Sequence, residues 1–304
     1  MTQGDRGDVE FASHGVTCRG WWYPARAVSG PAPCVVMGHG FGATRDAALE
    51  PYARRFAAAG MHVLVFDYRH FGASDGTPRQ LVSPRRQLQD FASAVSYVRG
   101  REDVDAARVA VWGTSFAGGH ALVSAARIDG LRAAVCQCPM MDGLVAVKNI
   151  VGYAGLAPLL RLTAHGLLDA AASLVGRTHE VPIVGRPGEI AIMSSPDALA
   201  GYTALTPPGF HFGVAARIAL HVSLYRPVTT ARDARCPVLV QICERDSVAP
   251  ASAAEEVVRR LGPRGEVRRY DIGHFEPYFG AAFERSVADQ VDFLQRHLAV
   301  APPA

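Results

Sequence analysis

The chain has 304 residues, of which 49% are hydrophobic, and a formal net charge of +3. It is long enough to bury one large core, with or without an insert, and its composition excludes a disordered protein. The basic residues are 30 Arg and a single Lys, Lys148, scattered without an Arg-rich block interleaved with aromatics, so no nucleic acid is expected as a partner.

In chain order, Met1 to Asp8 holds no apolar stretch of the kind a secretory signal needs, and a cytoplasmic location is expected. Val9–Ser13 and Val16–Tyr23 flank His14-Gly15 and predict two antiparallel strands joined by a tight turn. After a Gly/Pro-rich loop, Cys34–Met37 predicts a short buried strand ending in Gly38-His-Gly-Phe-Gly42. Residues 46–59 have helical spacing and stop at Gly60, and His62–Phe66 predicts another buried strand, ending at Asp67. Ser83 to Arg99 predicts a long helix with Pro84 inside its first turn. Arg108–Trp112 predicts a strand that runs through Gly113 to Ser115 and into a helix reaching about Arg127, and Arg132–Gln137 predicts the next strand.

From 143 to 232 this alternation breaks down into helix-like apolar segments around an expected hairpin at 181–193. The most apolar stretch, Val145–Val175, is interrupted by Lys148, Arg161, His165 and Asp169, so no membrane span is expected. Alternation resumes with a strand at Cys236–Cys243 ending near Asp246, a helix at Ala251–Leu261, a strand at Glu266–Ile272 ending at His274, and a closing helix at Ala281–Leu298. Cys18, Cys34, Cys136, Cys138, Cys236 and Cys243 lack metal-ligand spacing and read as buried free thiols; the alternative is a bridge from Cys136 or Cys138 to Cys236 or Cys243.

Short buried strands alternating with helices predict an α/β fold: a mostly parallel sheet covered on both faces, with functional groups gathered beyond the carboxyl ends of the strands. Ser115, Asp246 and His274 all fall just past such an end, as do Gly38 to Gly42 and Asp67. A serine hydroxyl needs a base within reach, and the base needs an acceptor on its other nitrogen to fix the tautomer. Ser115 is therefore read as a nucleophile, His274 as its base and Asp246 as the acid that orients His274. Two backbone N–H groups should meet the oxyanion, and those of Phe41 and Phe116 are the candidates.

His39-Gly-Phe-Gly42, Asp67-Tyr-Arg-His-Phe-Gly-Ala-Ser-Asp-Gly76, Gly113-Thr-Ser-Phe-Ala-Gly118, Asp246 with Val248 to Pro250, and Gly273-His274 together resemble the α/β-hydrolases over nearly the full chain. The nearest likeness is to bacterial esterase-like members grouped with X-Pro dipeptidyl-peptidases. The resemblance implies an eight-stranded sheet with only the second strand antiparallel. It also implies a core formed by 1–142 and 233–304, with a mainly helical cap inserted at 143–232. Two positions depart from the pattern. Ala117 stands where G-x-S-x-G has its last Gly, and His70 replaces a usual Gly and is expected near the cleft.

Plainer readings compete. Ser115 could be only a helix N-cap, Asp142 also follows a strand end and rivals Asp246, and His39, His70 and Asp67 read as structural or substrate-adjacent. Gly38-x-Gly40-x-x-Ala43 with Asp67 fits a dinucleotide fingerprint, which makes an oxidoreductase the remote alternative. A non-catalytic member of the fold is disfavoured by the complete set of Ser, Asp and His. The expected activity is hydrolysis of fairly apolar carboxylic esters through an acyl-enzyme, without metal or organic cofactor. Thioester or amide cleavage and acyl transfer would use the same groups. The partners expected are that small substrate and at most a second copy of the chain, with no membrane.

Overall fold

The computed structural model describes residues 6–300. The opening hairpin pairs β1 (Gly7–Ser13) with β2 (Val16–Tyr23) about His14 and Gly15, both at positive φ as a two-residue hairpin turn requires. β3 (Ala32–Gly38) is followed by α1 (Glu50–Ala58), β4 (His62–Phe66), α2 (Pro84–Arg99), β5 (Val104–Thr114), α3 (Phe116–Arg127) and β6 (Ala133–Gln137). α1 begins later than residue 46 because Pro51 sits in its first turn, and turns occupy the residues before it.

Between β6 and the next core strand lie α4 (Gly143–Ala154), α5 (Leu156–Ser173), β7 (Glu180–Pro182), α6 (Ala198–Leu205), β8 (Gly213–Ala215) and three 3₁₀ segments between Ala216 and Asp233. Gly155, at φ 79°, breaks what would otherwise be one long apolar helix into α4 and α5. The hairpin expected at 181–193 does not form. β7 instead pairs antiparallel with β8, and only an isolated parallel bridge joins Val184 to Met193. Pro182 and Pro187 lack the N–H groups that a ladder across 181–193 would use.

The core resumes with β9 (Val238–Cys243), α7 (Ala251–Leu261), β10 (Gly265–Tyr270) and α8 (Gly280–Leu298). The eight core strands form one sheet in the order β1-β2-β4-β3-β5-β6-β9-β10. β2 is antiparallel to both its neighbours, and the remaining pairs are parallel. β3, β4, β6 and β9 are buried from end to end, as continuous apolar runs should be in a sheet covered on both sides. One face packs under α1 and α8 through Tyr52, Phe56, Val287, Phe293 and Leu294. The other packs under α2, α3 and α7 through Phe91, Val95, Leu122 and Val257. All six cysteines are buried and free, so the alternative bridge is absent.

One buried polar network crosses the first face. Gln290 of α8 donates to Gln137 on β6 (2.7 Å) and Gln241 on β9 (2.5 Å), and accepts from the Trp112 indole on β5 (3.0 Å). Gln137 in turn donates to Thr114, which also bonds the Tyr278 hydroxyl. Satisfied amides of this kind fix the relative placement of three strand ends more sharply than apolar contacts do. Those three ends carry Ser115, Pro139-Met140 and Asp246.

Candidate active site

Ser115 joins the end of β5 to the start of α3 at φ 54°, ψ −118°, a conformation costing about 1–3 kcal/mol for a residue with a side chain. The surroundings hold it there. The Ser115 N–H donates to the Gln137 carbonyl (2.9 Å), and its own carbonyl accepts from the Gly118 and Met140 N–H groups (2.9 Å each). A Cβ at Gly113 would lie 1.9 Å from the Ala117 carbonyl oxygen, so only glycine lets strand and helix close this tightly. A Cβ at Gly118 would meet Pro139 at 2.6 Å, whereas Ala117 points its methyl into the core beside α3. Glycine is thus needed at 113 and 118, and position 117 tolerates alanine.

His274 lies in the loop beyond β10 and Asp246 in the loop beyond β9. The structure brings both to Ser115: His274 Nε2 is 3.0 Å from Ser115 Oγ, and His274 Nδ1 is 2.6 Å from Asp246 Oδ2. The His274 and Asp246 side chains are buried. The other Asp246 oxygen accepts from the Val248 and Ala249 N–H groups at 2.8 and 2.6 Å, which fixes the carboxylate plane. Burial works against the imidazolium of His274, but the Asp246 carboxylate, with Cys138 and Asp197 adding to it, outweighs burial and carries the His274 pKa up to about 9.

The loop after β3 passes directly over the serine: a Cβ at Gly40 would sit 3.4 Å from Ser115 Cβ. Its next residue, Phe41, packs edge to face on Phe116 with ring centroids 5.2 Å apart. The Phe41 carbonyl is held by the Tyr202 hydroxyl of α6 at 2.8 Å. Among the described residues no acceptor takes the Phe41 N–H, and Phe116, as the first residue of α3, has no intrahelical acceptor for its own. His39, the residue before this pair, is buried and held well below the usual histidine range, at about 4, by burial. Its ring contacts the Gly40 carbonyl and the Tyr68 N–H, a structural position.

The remaining candidates lie elsewhere. Asp142 caps α4, accepting from the Leu144 N–H at 2.9 Å, and its carboxylate is taken up by Arg226 at 2.8–3.1 Å. It makes no bond to His274. Asp67 accepts from the Arg45 and Ala73 N–H groups and so ties two loops together. The dinucleotide fingerprint is not realised, because the helix after β3, α1, starts only at Glu50 and does not open on the Gly38–Gly42 turn. His70, expected near the cleft, is not among the residues that line the cavities at Ser115. Its strained φ of 78° belongs to the 67–80 loop, where its Nε2 meets Arg86 at 2.8 Å. Among the described residues no group of three or more His, Cys, Asp or Glu side chains is placed to hold a metal ion.

Two small cavities share Ser115, Phe41 and Met193 in their walls. The larger, about 80 Å³, is overwhelmingly apolar and runs under α4 and α5, past Ile150, Leu159 and Leu162. The smaller, about 30 Å³, lies on the His274 side between Gly40, Tyr202 and Tyr278. Met193, which divides them, comes from a loop whose apolar sequence gives no hint of this position. A second group that sequence reasoning missed is the cluster of Asp197, Ser195 and Ser247. Asp197 accepts from both hydroxyls and so pins the residue next to Asp246 to the start of α6. Gln290 was legible in principle: it is a polar residue on the core-facing stripe of α8, among Val287, Phe293 and Leu294.

An eight-stranded sheet of this order, with β2 alone reversed and a serine on the β5–α3 bend, is the α/β-hydrolase fold. The chain belongs to the serine aminopeptidase S33 family, whose family model matches residues 29–274. It is 41% identical over 296 residues to the quorum-quenching protein AidA of Acinetobacter baumannii, covering 95% of this chain and 94% of the relative. It is 29% identical to the polyketide transferase grgF of Penicillium sp, covering 97% of each. The crystal structure of the α/β hydrolase GrgF from Penicillium sp. sh18 superposes with a TM-score of 0.80 at 26% identity, over 97% of this chain and 99% of that one. The thiohydrolase aneE of Aspergillus aculeatus is 27% identical over 96% of this chain and 93% of its own length.

Proposed function

We propose that this hydrolase-family protein is a serine hydrolase of apolar carboxylic esters that works through an acyl-enzyme at Ser115. The observation that carries the reading is the continuous contact from Ser115 Oγ through His274 to Asp246. Ser115 Oγ attacks the substrate carbonyl as His274 Nε2 takes its proton. Asp246 holds the Nδ1–H tautomer and stabilises the imidazolium that forms. The Phe41 and Phe116 N–H groups donate to the developing oxyanion, at the positive end of α3. His274 then returns the proton to the leaving alkoxide. In the second half, water attacks the acyl-enzyme with His274 again the base, releasing the acid and restoring Ser115.

The insert at 143–232 acts as the cap. The cavity under α4 and α5 takes the acyl chain, and the smaller cavity beside His274 takes the leaving group. With so little polar lining, the acyl side suits hydrocarbon chains rather than sugars or charged groups. The names of two relatives, a thiohydrolase and a polyketide transferase, support a second reading in which the acyl group arrives as a thioester or leaves to an alcohol.

The test is a panel of p-nitrophenyl esters and matching thioesters of graded acyl length, with wild type and Ser115→Ala. The expected outcome is a preference for apolar chains over charged ones, and a loss of about 10⁴-fold or more in kcat for the variant. A variant within tenfold of wild type would overturn the assignment. Adding a competing alcohol and measuring ester against acid product separates transfer from hydrolysis.

A further inference from the structure

The outer surface of the insert is apolar in a way that packing does not explain. Leu156, Leu160, Leu167 and Leu168 on α5, with Leu174 and Val175 just beyond it, are 58–86% exposed. Leu156, Leu160, Ala164, Leu167 and Ala171 recur at intervals of three and four, so they form one stripe along the helix. The opposite side of α5 is already used: Leu162 and Gly166 are buried there, and Leu159 and Leu162 line the cavity at Ser115. A helix that is apolar on both sides, with only one side covered by its own protein, presents a docking surface.

Charge decides what fits it. From 143 to 179 the exposed ionised side chains are Lys148, Arg161 and Arg177, and the one acid, Asp169, is buried against Arg217. Among the described residues none of these three cations has an ion-pair partner. A twofold contact through α5 would offer Arg161 no exposed acid of that helix, since Asp169 is its one carboxylate and is buried. An anionic lipid surface satisfies both features, because leucines enter the acyl boundary while the cations meet head-group phosphates.

We propose that the outer face of α5 docks this protein on anionic membrane surfaces, with the helix lying in the interface. No described helix is long and apolar enough to cross a membrane, so the contact is peripheral. Docked this way, α5 separates the lipid phase from the cavity at Ser115, and an apolar substrate dissolved in lipid reaches the site across a single helix.

Flotation with phosphatidylcholine–phosphatidylglycerol vesicles, against pure phosphatidylcholine vesicles, tests this independently of any turnover. Wild type should float with the anionic vesicles alone and release as salt rises. Arg161→Glu changes two unit charges at the interface and should weaken partition roughly thirtyfold. Leu160→Glu should abolish it, and both variants should unfold at the wild-type temperature because both positions are exposed. Failure of wild type to float, or unchanged flotation of both variants, overturns the proposal. So does light scattering that shows a wild-type dimer which Leu160→Glu makes monomeric, since the stripe would then be a protein interface.

Discussion

Replacing Asp246 with Asn separates the proposed acid from its rival. The Asn carbonyl can still accept from the Val248 and Ala249 N–H groups, so the loop keeps its shape. The amide nitrogen then faces His274 Nδ1, where a carboxylate oxygen stood at 2.6 Å, and a donor there selects the imidazole tautomer that cannot deprotonate Ser115. Losing the acid's orienting and charge effects costs a factor of about 10⁴ in kcat, or about 5.5 kcal/mol of transition-state stabilisation. The companion variant Asp142→Asn loses a carboxylate that caps α4 and pairs with Arg226 but touches no reacting group. Because Arg226 is exposed and Asn caps a helix as well as Asp does, stability should change little and kcat less than about threefold. The assay is p-nitrophenyl ester turnover on both variants, with thermal unfolding as the control for folding. A larger kcat loss in Asp142→Asn than in Asp246→Asn would refute the assignment.

Further outcomes follow from the same geometry. General base catalysis needs neutral His274, so with its pKa raised to about 9 the rate should climb with pH up to that region. This lies above the pH 6–7 or so that an unperturbed histidine would give. Asp197→Asn removes one of the charges that raise His274 while still offering an oxygen to Ser195 and Ser247, so the rising limb of the pH profile should move to lower pH. A merely structural role for Asp197 would lower activity at every pH without moving the limb. Gly113→Ala should fail to fold or lose activity, because its methyl would overlap the Ala117 carbonyl, whereas Ala117→Gly should cost about 1 kcal/mol in unfolding assays and keep turnover. An active, stable Gly113→Ala enzyme would contradict the strained bend described at Ser115.

The inner strands β3, β4 and β9 were legible because each is a short apolar run closed by a glycine or an acid. Their alternation with helices pointed to a mostly parallel sheet, while its eight strands with only the second reversed were implied by the resemblance to the α/β-hydrolases. The three polar residues at strand ends were legible for the same reason: Ser115, Asp246 and His274 each sit one to four residues past a strand, where the chain must turn. The insert was not legible in detail. Its apolar segments pack on the core through contacts distant in sequence, and its prolines, Pro182 and Pro187, turned an expected hairpin into the β7–β8 pair. Asp142 could not be told from Asp246 by position alone, since both follow strand ends, and only Arg226, 84 residues away, shows what Asp142 is for. Met193 and Asp197 reach the site from such an insert, and no local pattern marks them.

The most direct test of the central claim, that His274 activates Ser115 as a nucleophile, is covalent labelling with a fluorophosphonate followed by peptide mass spectrometry. The account predicts one adduct, on Ser115, formed in step with loss of turnover and slowed by orders of magnitude in His274→Ala. An adduct on another residue, or equal labelling of Ser115 in the absence of the imidazole, would contradict it.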